Sequence, residues 1–184
     1  MKMTGVTSSA AQGDEIGPLV LASRTGDVAA FTRLIETQYP LIFRTAFRWL
    51  GNRSDAEDVA QVVCMKLAHA LKGFDGRSAF ASWLYRITLN AVRDLQRTQQ
   101  RRNRQTDALT LVCSEEVEPR QEDRLRVADI WRMVRELPEK QRDAVLLIYA
   151  QELSQAEAAA IMNCKEATVS WHIHMARKSL RGRL

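Results

Sequence analysis

The stretch that decides the fold lies near the end of the chain, LSQAEAAAIM at residues 153–162 followed after NCKE by ATVSWHIHMARKSL at residues 167–180. Ser154 and Glu157 have the spacing of a capping box, which predicts the start of a short helix. Asn163 and Cys164 favour a tight turn. The next apolar positions recur at helical spacing, at Val169, Ile173, Ala176 and Leu180. Two helices joined by so short a turn indicate a helix-turn-helix.

The rest of the chain shows the same helical period, and β signals are nearly absent. In the first half, Asp27 is a candidate helix start and Gly51 a stop. Ser54 and Glu57 form a second capping box, which predicts another helix. The glycine-containing loop GFDGRS follows, and we expect its last residue, Ser78, to cap a third helix. We therefore predict an all-α protein.

Length and composition limit the possible classes of protein. The 184 residues allow one typical domain or two small ones, and 46% apolar residues are enough for a core. The net charge is +5, and residues 86–104 contain six arginines against one aspartate. The longest uninterrupted apolar run, at 144–150, is too short for a membrane span, and the first residues lack a signal-peptide core. Three widely spaced cysteines favour reduced thiols, so we expect a cytoplasmic protein.

The charge reverses after the basic segment. Residues 105–124 contain six acidic residues against two arginines, with little periodicity and one proline. This pattern predicts a flexible acidic linker between two small helical domains. The predicted organisation is a flexible N-terminus at 1–24, a first domain at 25–104, the linker at 105–124 and a second domain at 125–184 that contains the helix-turn-helix.

Two linked signatures resemble the extracytoplasmic-function (ECF) group of bacterial alternative sigma factors. DAEDVAQVVCMKL at 55–67 and FASWLYRITLNAVRDLQR at 80–97 resemble the family's core-binding and promoter-melting domain. LPEKQRDAVLL at 137–147, together with the helix-turn-helix, resembles its promoter-reading domain. The resemblance implies a non-catalytic factor that binds core RNA polymerase, directs it to a two-part promoter and helps to open the minus-ten region.

The resemblance also assigns residues in the first domain. In sigma factors the helix matching 55–67 docks on the β′ clamp of polymerase, which implies core contacts for Asp55, Glu57, Asp58 and Gln61. Helix capping alone is the other explanation for these carboxylates. A melted minus-ten strand requires apolar surfaces, polar edges for a captured base and cations for the backbone. The residues expected to supply these are Phe74, Asp75, Arg77, Ser78, Arg86, Asn90, Arg93 and Arg97.

In the second domain, the exposed side chains of the second helix of the helix-turn-helix are expected to read the minus-thirty-five element. They are Lys165, Thr168, Ser170, Trp171, His174, Met175, Arg177 and Lys178. The sequence departs here from the family pattern, which often has basic residues near positions 170, 172 and 175. Trp171 either contacts a thymine methyl group or packs inside the domain, and the sequence leaves both open.

The resemblance also implies partner proteins. The resemblance implies contact with the β flap of polymerase, an anti-sigma factor as a further partner, and a monomer when no partner is bound. The acidic linker is either a disordered tether or a mimic of RNA in polymerase channels. The alternatives are a dimeric helix-turn-helix regulator that acts without polymerase, and a decoy that binds an anti-sigma factor but supports no transcription. The dimeric regulator leaves the first-half signature unexplained.

We expect neither a metal nor another cofactor. His172 and His174 lie two residues apart on one helix and therefore point to different faces, with only Cys164 as a further candidate ligand. The sequence also contains no phosphate-binding glycine loop and no convincing pairing of nucleophile and base. An enzyme is therefore not expected.

Overall fold

The structure is a computed structural model that describes residues 8–106 and 122–182, with side chains described for 16–102 and 129–182. All the regular secondary structure in this part of the chain is helical. The helices are α1 (Ser8–Arg24), α2 (Val28–Leu50), α3 (Arg53–Ala70), α4 (Phe80–Thr106), α5 (Glu122–Arg135), α6 (Glu139–Val145), α7 (Gln155–Met162) and α8 (Glu166–Arg181). A 3₁₀ turn at Leu71–Gly73 follows α3, and a π-helical turn at Leu146–Ala150 extends α6. The predicted all-α fold is confirmed.

The first domain is built on α2, α3 and α4, whose apolar faces meet in one core. Leu34, Ile42, Val63 and Leu67 have no exposed surface, and each buried side chain of this size contributes roughly 1.5–3 kcal/mol to folding. The predicted limits of α2 are confirmed, because Asp27 accepts a hydrogen bond from a backbone N–H of the first turn and Gly51 ends the helix at φ 72°.

Two sequence-based expectations for helix starts in the first domain were wrong. Asn52, and not Ser54, caps α3, because its side chain lies two residues earlier and accepts the backbone N–H of Asp55 at 3.2 Å. Ser78 does not cap α4, which begins two residues later at Phe80. Its hydroxyl instead accepts a hydrogen bond from the Arg86 side chain at 3.0 Å. Residues 8–24, expected to be flexible, form α1, which packs on α2 through a buried Val20.

The second domain consists of α5 to α8 around Leu146, Leu147, Val169 and Ala176, all fully buried or nearly so. The capping box at the start of α7 is confirmed: the Ser154 hydroxyl accepts the Glu157 backbone N–H at 3.2 Å, and the Glu157 carboxylate accepts the Ser154 N–H at 2.8 Å. Asn163 in the left-handed conformation, φ 52°, makes the turn into α8. The predicted helix-turn-helix is therefore present.

The predicted acidic linker lies mostly outside the described residues, as does Cys113. The two ends of the predicted linker are helical, since α4 continues to Thr106 and α5 begins at Glu122. The two domains contact each other: α4 lies on α7, and α2 contacts α5 and the π-helical turn. None of the described helices combines the length and the apolar character that a bilayer-spanning segment requires.

Candidate nucleic-acid interface

Helix α8 has one face in the core and the opposite face in solvent. Val169, Ile173 and Ala176 are buried and fasten the helix to the rest of the second domain. The side chains predicted to read DNA lie on the other faces. Lys165, Ser170, Trp171, His174, Arg177 and Lys178 are exposed, whereas Thr168 and Met175 are half-buried. The exposed face therefore has the donors, acceptors and cations that a groove-binding helix needs.

Two side chains of α8 are held by residues that the sequence analysis missed. Arg177 donates a hydrogen bond to the hydroxyl of Tyr149, and its guanidinium carbon lies 5.8 Å from the centre of the Tyr149 ring. Ser170 donates to the side-chain oxygen of Gln155 at 2.9 Å. Tyr149 belongs to an apolar stretch of the sequence that forms the π-helical turn. The extra residue per turn there changes the direction in which the side chains point. Tyr149 is 47% exposed and faces α8.

The indole of Trp171 is 54% exposed, so it does not pack inside the domain. Its ring meets the His172 ring edge to face, with centroids 5.0 Å apart. His172 is half-buried, and its Nδ1 has no hydrogen-bond partner within the described part of the chain. Burial, and next the charge of Lys140, lowers the pKa of His172, while Asp143 opposes the change. Contact of Trp171 with a thymine methyl group stays a prediction.

The loop before α4 is held by its own polar side chains. The Asp75 carboxylate accepts the Arg77 backbone N–H at 3.0 Å and lies 3.2 Å from the Arg77 guanidinium. Asp75 and Arg77 are exposed, and the bond from Arg86 fastens the end of the loop through Ser78. The predicted loop residues therefore lie together, with Arg86 as a tether from α4.

Phe74 is placed differently from the rest of that loop. It is buried and packs against Phe80 and Trp83 of α4, with ring centroids 5.6 Å and 5.0 Å away. The three rings fix where the loop starts. In this arrangement Phe74 offers little surface to a base, so we now expect it to support the loop rather than to stack on DNA.

The basic face of α4 is divided between solvent and the second domain. Asn90 and Arg97 are exposed, beside a cleft that Lys140 of α6 also lines. Arg93 is only 18% exposed at its side chain and points toward the second domain, where it contacts Asp143. It also donates to the Asn90 side chain at 3.3 Å. The structure therefore brings the predicted minus-ten residues of α4 together but leaves Arg93 covered.

Of the four side chains at the start of α3 that were expected to contact core polymerase, two are exposed and two bond to other residues of the chain. Asp58 and Gln61 are exposed on the same face of the helix. Asp55 accepts a hydrogen bond from Gln99 of α4 at 3.0 Å, and Glu57 pairs with Arg53 at 2.8 Å. Asp58 and Gln61 are therefore the more available pair for a partner protein.

The described residues contain no cluster of three or more side chains that would hold a metal ion. The described cysteines, Cys64 and Cys164, are free and half-buried, and burial raises the pKa of the Cys64 thiol.

Comparison with known proteins places both halves of the chain in one family. Residues 34–102 match Sigma-70 region 2, and residues 128–180 match Sigma-70, region 4. The ECF RNA polymerase sigma factor SigW of Bacillus subtilis is 30% identical over 174 residues, which cover 88% of this chain and 92% of SigW. The ECF RNA polymerase sigma-E factor of Escherichia coli is 31% identical over 175 residues, covering 88% and 90%.

Two solved structures are similar to the whole fold. CnrH, solved in complex with the cytosolic domain of CnrY, is 28% identical with a TM-score of 0.66, covering 92% of this chain and 96% of CnrH. The sigma factor RpoE from Bartonella quintana, solved with the anti-sigma factor NepR, is 26% identical with a TM-score of 0.69, covering 84% and 96%. The chain belongs to the ECF group of RNA polymerase sigma factors, which are regulatory proteins rather than enzymes.

Proposed function

We propose that this sigma factor divides its work among three surfaces. Asp58 and Gln61 on α3 bind core polymerase. The loop that ends at Ser78 and the exposed Asn90 and Arg97 of α4 bind the melted minus-ten strand. The exposed face of α8 reads the minus-thirty-five element. Together they direct polymerase to a two-part promoter and assist its opening, without catalytic chemistry of the chain's own.

The observation that carries this proposal is the geometry of α8. Its apolar face is buried in the second domain, and the face with Ser170, His174 and Arg177 is open to solvent. A rigidly mounted helix with such a face fits the major groove, where hydrogen bonds to base edges distinguish sequences. Gln155 and Tyr149 support it by holding two of its side chains in place.

The cellular setting follows from the same proposal. Polymerase and promoters are in the cytoplasm, so the chain acts there. The RpoE relative was solved with an anti-sigma factor, which supports the proposal that an anti-sigma factor also binds this chain. The chain is a monomer before it meets any of these partners.

Two substitutions test whether the surfaces have separate tasks. Asp58→Arg reverses a charge at the proposed core interface, where like charges cost several kcal/mol, so core association should fall at least ~30-fold. Arg177→Ala removes one DNA contact worth about 1–3 kcal/mol, so promoter binding should fall about 5- to 150-fold with core association unchanged. The exposed Asp129 allows a matched control, Asp129→Arg, which should change neither quantity.

The measurements are a titration of labelled protein with core polymerase and a promoter-binding titration of the holoenzyme. Equal loss of core association in Asp58→Arg and Arg177→Ala would overturn the division of tasks. Tight binding of promoter duplex by the chain alone, unaffected by polymerase, would favour a conventional helix-turn-helix regulator.

A further inference from the structure

The centre of the exposed face of α8 is apolar. Trp171 lies midway between Val169 and Ile173 in sequence, and two positions along a helix turn the side chain through about 200°. The two aliphatic residues are buried, so the indole points away from the core. At 54% it is the most exposed of the large apolar side chains described in the second domain. Such a side chain contributes little to the packing of its own domain and is available to a partner.

Two further side chains extend this apolar surface along the helix. Thr168 lies three positions before Trp171 and Met175 four positions after it, which places the three side chains on one side of α8. Thr168 and Met175 are half-buried. We name these three residues the apolar strip. At about 1.5 Å per residue the strip is about 10 Å long, which equals about three base-pair steps of about 3.4 Å.

The indole is supported by its own domain before any partner binds. Its ring meets the His172 ring edge to face, with centroids 5.0 Å apart, and His172 is half-buried. This neighbour restricts the rotamers of Trp171. The ring therefore loses little conformational freedom when a partner covers it.

The charges along α8 indicate what kind of partner covers the strip. Glu166 is the one acidic residue of this helix. The exposed basic residues of α8 and its N-cap are Lys165, Arg177, Lys178 and Arg181. An apolar centre accompanied by four cations complements a surface with anions at its edges and apolar groups between them. The major groove of DNA is such a surface, because phosphates flank it and the thymine C5 methyl group is an apolar group on its base edges.

We propose that the apolar strip reads thymine methyl groups in the minus-thirty-five element, with Trp171 as the residue that determines this specificity. The element should contain a short run of thymines, up to about three, whose methyl groups contact the strip. The polar residues of α8 distinguish bases by hydrogen bonds, whereas the strip distinguishes thymine from bases that lack the methyl group. This inference rests on the proposed function, because the strip meets bases only if α8 enters the major groove.

The first measurement compares thymidine with deoxyuridine in the same promoter. Run-off transcription with core polymerase supplies promoters that require the protein, and their shared upstream sequence defines the element. Deoxyuridine pairs as thymidine does and lacks only the C5 methyl group. Replacing each thymidine of the element in turn should weaken binding by wild-type holoenzyme about fourfold at every contacted position, the effect of removing one buried methyl group. Replacements in the spacer between the two elements are the control and should leave binding unchanged.

The second measurement repeats these titrations with Trp171→Ala. This variant should bind the thymidine promoter at least about fourfold more weakly than the wild type does. Deoxyuridine at the positions that the indole covers should weaken it no further, because the two changes remove the same contact. The indole is largely exposed, so circular dichroism should show the helix content of the wild type. Ile130→Ala, which shortens another exposed apolar side chain of the second domain, is the matched control and should keep the full response to deoxyuridine.

Equal affinity of wild-type holoenzyme for the thymidine and deoxyuridine promoters would overturn the proposal without any variant. An upstream element that contains no thymine would also overturn it, as would a full response to deoxyuridine in Trp171→Ala. Loss of core association in Trp171→Ala that equals its loss of promoter binding would have the same consequence, because the indole would then contact polymerase. All these results leave the proposed function intact if promoter-specific transcripts are present. The absence of such transcripts would refute the proposed function itself.

Discussion

Tyr149→Phe removes a single oxygen atom from the second domain and tests how Arg177 is prepared for DNA. The Tyr149 hydroxyl accepts a hydrogen bond from Arg177, and the ring lies beneath the guanidinium at 5.8 Å. Phenylalanine keeps the ring and loses the acceptor. The Arg177 side chain should then sample more rotamers before it binds DNA.

The expected magnitude follows from the cost of ordering one side chain. Immobilising a flexible side chain on binding costs about 0.5–1.5 kcal/mol of binding free energy. The hydrogen bond to Tyr149 already orders Arg177 in the free protein, so this cost is not incurred when DNA binds. Loss of that preparation should weaken promoter binding by the holoenzyme about 2- to 12-fold. The cation–π contact remains, so the fold of the domain should be unaffected.

The assay is a titration of promoter DNA with holoenzyme, performed for Tyr149→Phe, Arg177→Ala and the double variant. Because Tyr149 acts through Arg177, its substitution should have no further effect once Arg177 is alanine. Tyr39→Phe, on the exposed side of α2, is the matched control and should bind as the wild type does. Wild-type affinity for Tyr149→Phe, or full additivity in the double variant, would refute the reasoning.

Two predictions concern stability. Burial, and next the charge of Lys140, lowers the pKa of His172 in the folded state, although the charge of Asp143 opposes the change. The unfolded state therefore binds a proton more readily, and the protein loses stability as the pH falls through about 6.5. His172→Gln should therefore lose less stability than the wild type between about pH 7.5 and pH 5.5 in urea unfolding, and an equal loss would contradict this. Ser154→Ala removes the cap whose hydroxyl accepts the Glu157 N–H at 3.2 Å, and thermal unfolding should show a loss of about 1 kcal/mol; no measurable change would show that the capping box is dispensable.

Local signals explain which parts of the fold could be predicted. The capping box at Ser154 and the helix end at Gly51 depend on residues within one turn, and the structure confirms both. The same pattern at Ser54 gave the wrong start for α3, because Asn52 offers an equivalent cap two residues earlier. A spacing rule cannot choose between two adjacent caps when both fit.

The candidate site shows a different limit. The sequence indicated the exposed residues of α8, because their positions follow from the buried stripe of Val169, Ile173 and Ala176. It did not indicate Tyr149, since a π-helical turn inside an apolar run changes the face on which the side chain emerges.

Contacts between the domains had no sequence signal at all. Trp49 fits the apolar stripe of α2, and Asp143 resembles an ordinary charged residue of an amphipathic helix. Their hydrogen bond joins residues 94 positions apart, and no periodicity reports a pairing of that kind. Such contacts become visible only when both domains are placed in space.

Run-off transcription with purified core polymerase, with and without this protein, is the most direct test of the account. The template would be pooled promoter fragments from the genome that encodes the chain. The account predicts discrete transcripts that require the protein, that share upstream elements and that disappear with Asp58→Arg. Stable association with core but no promoter-specific transcript would contradict it.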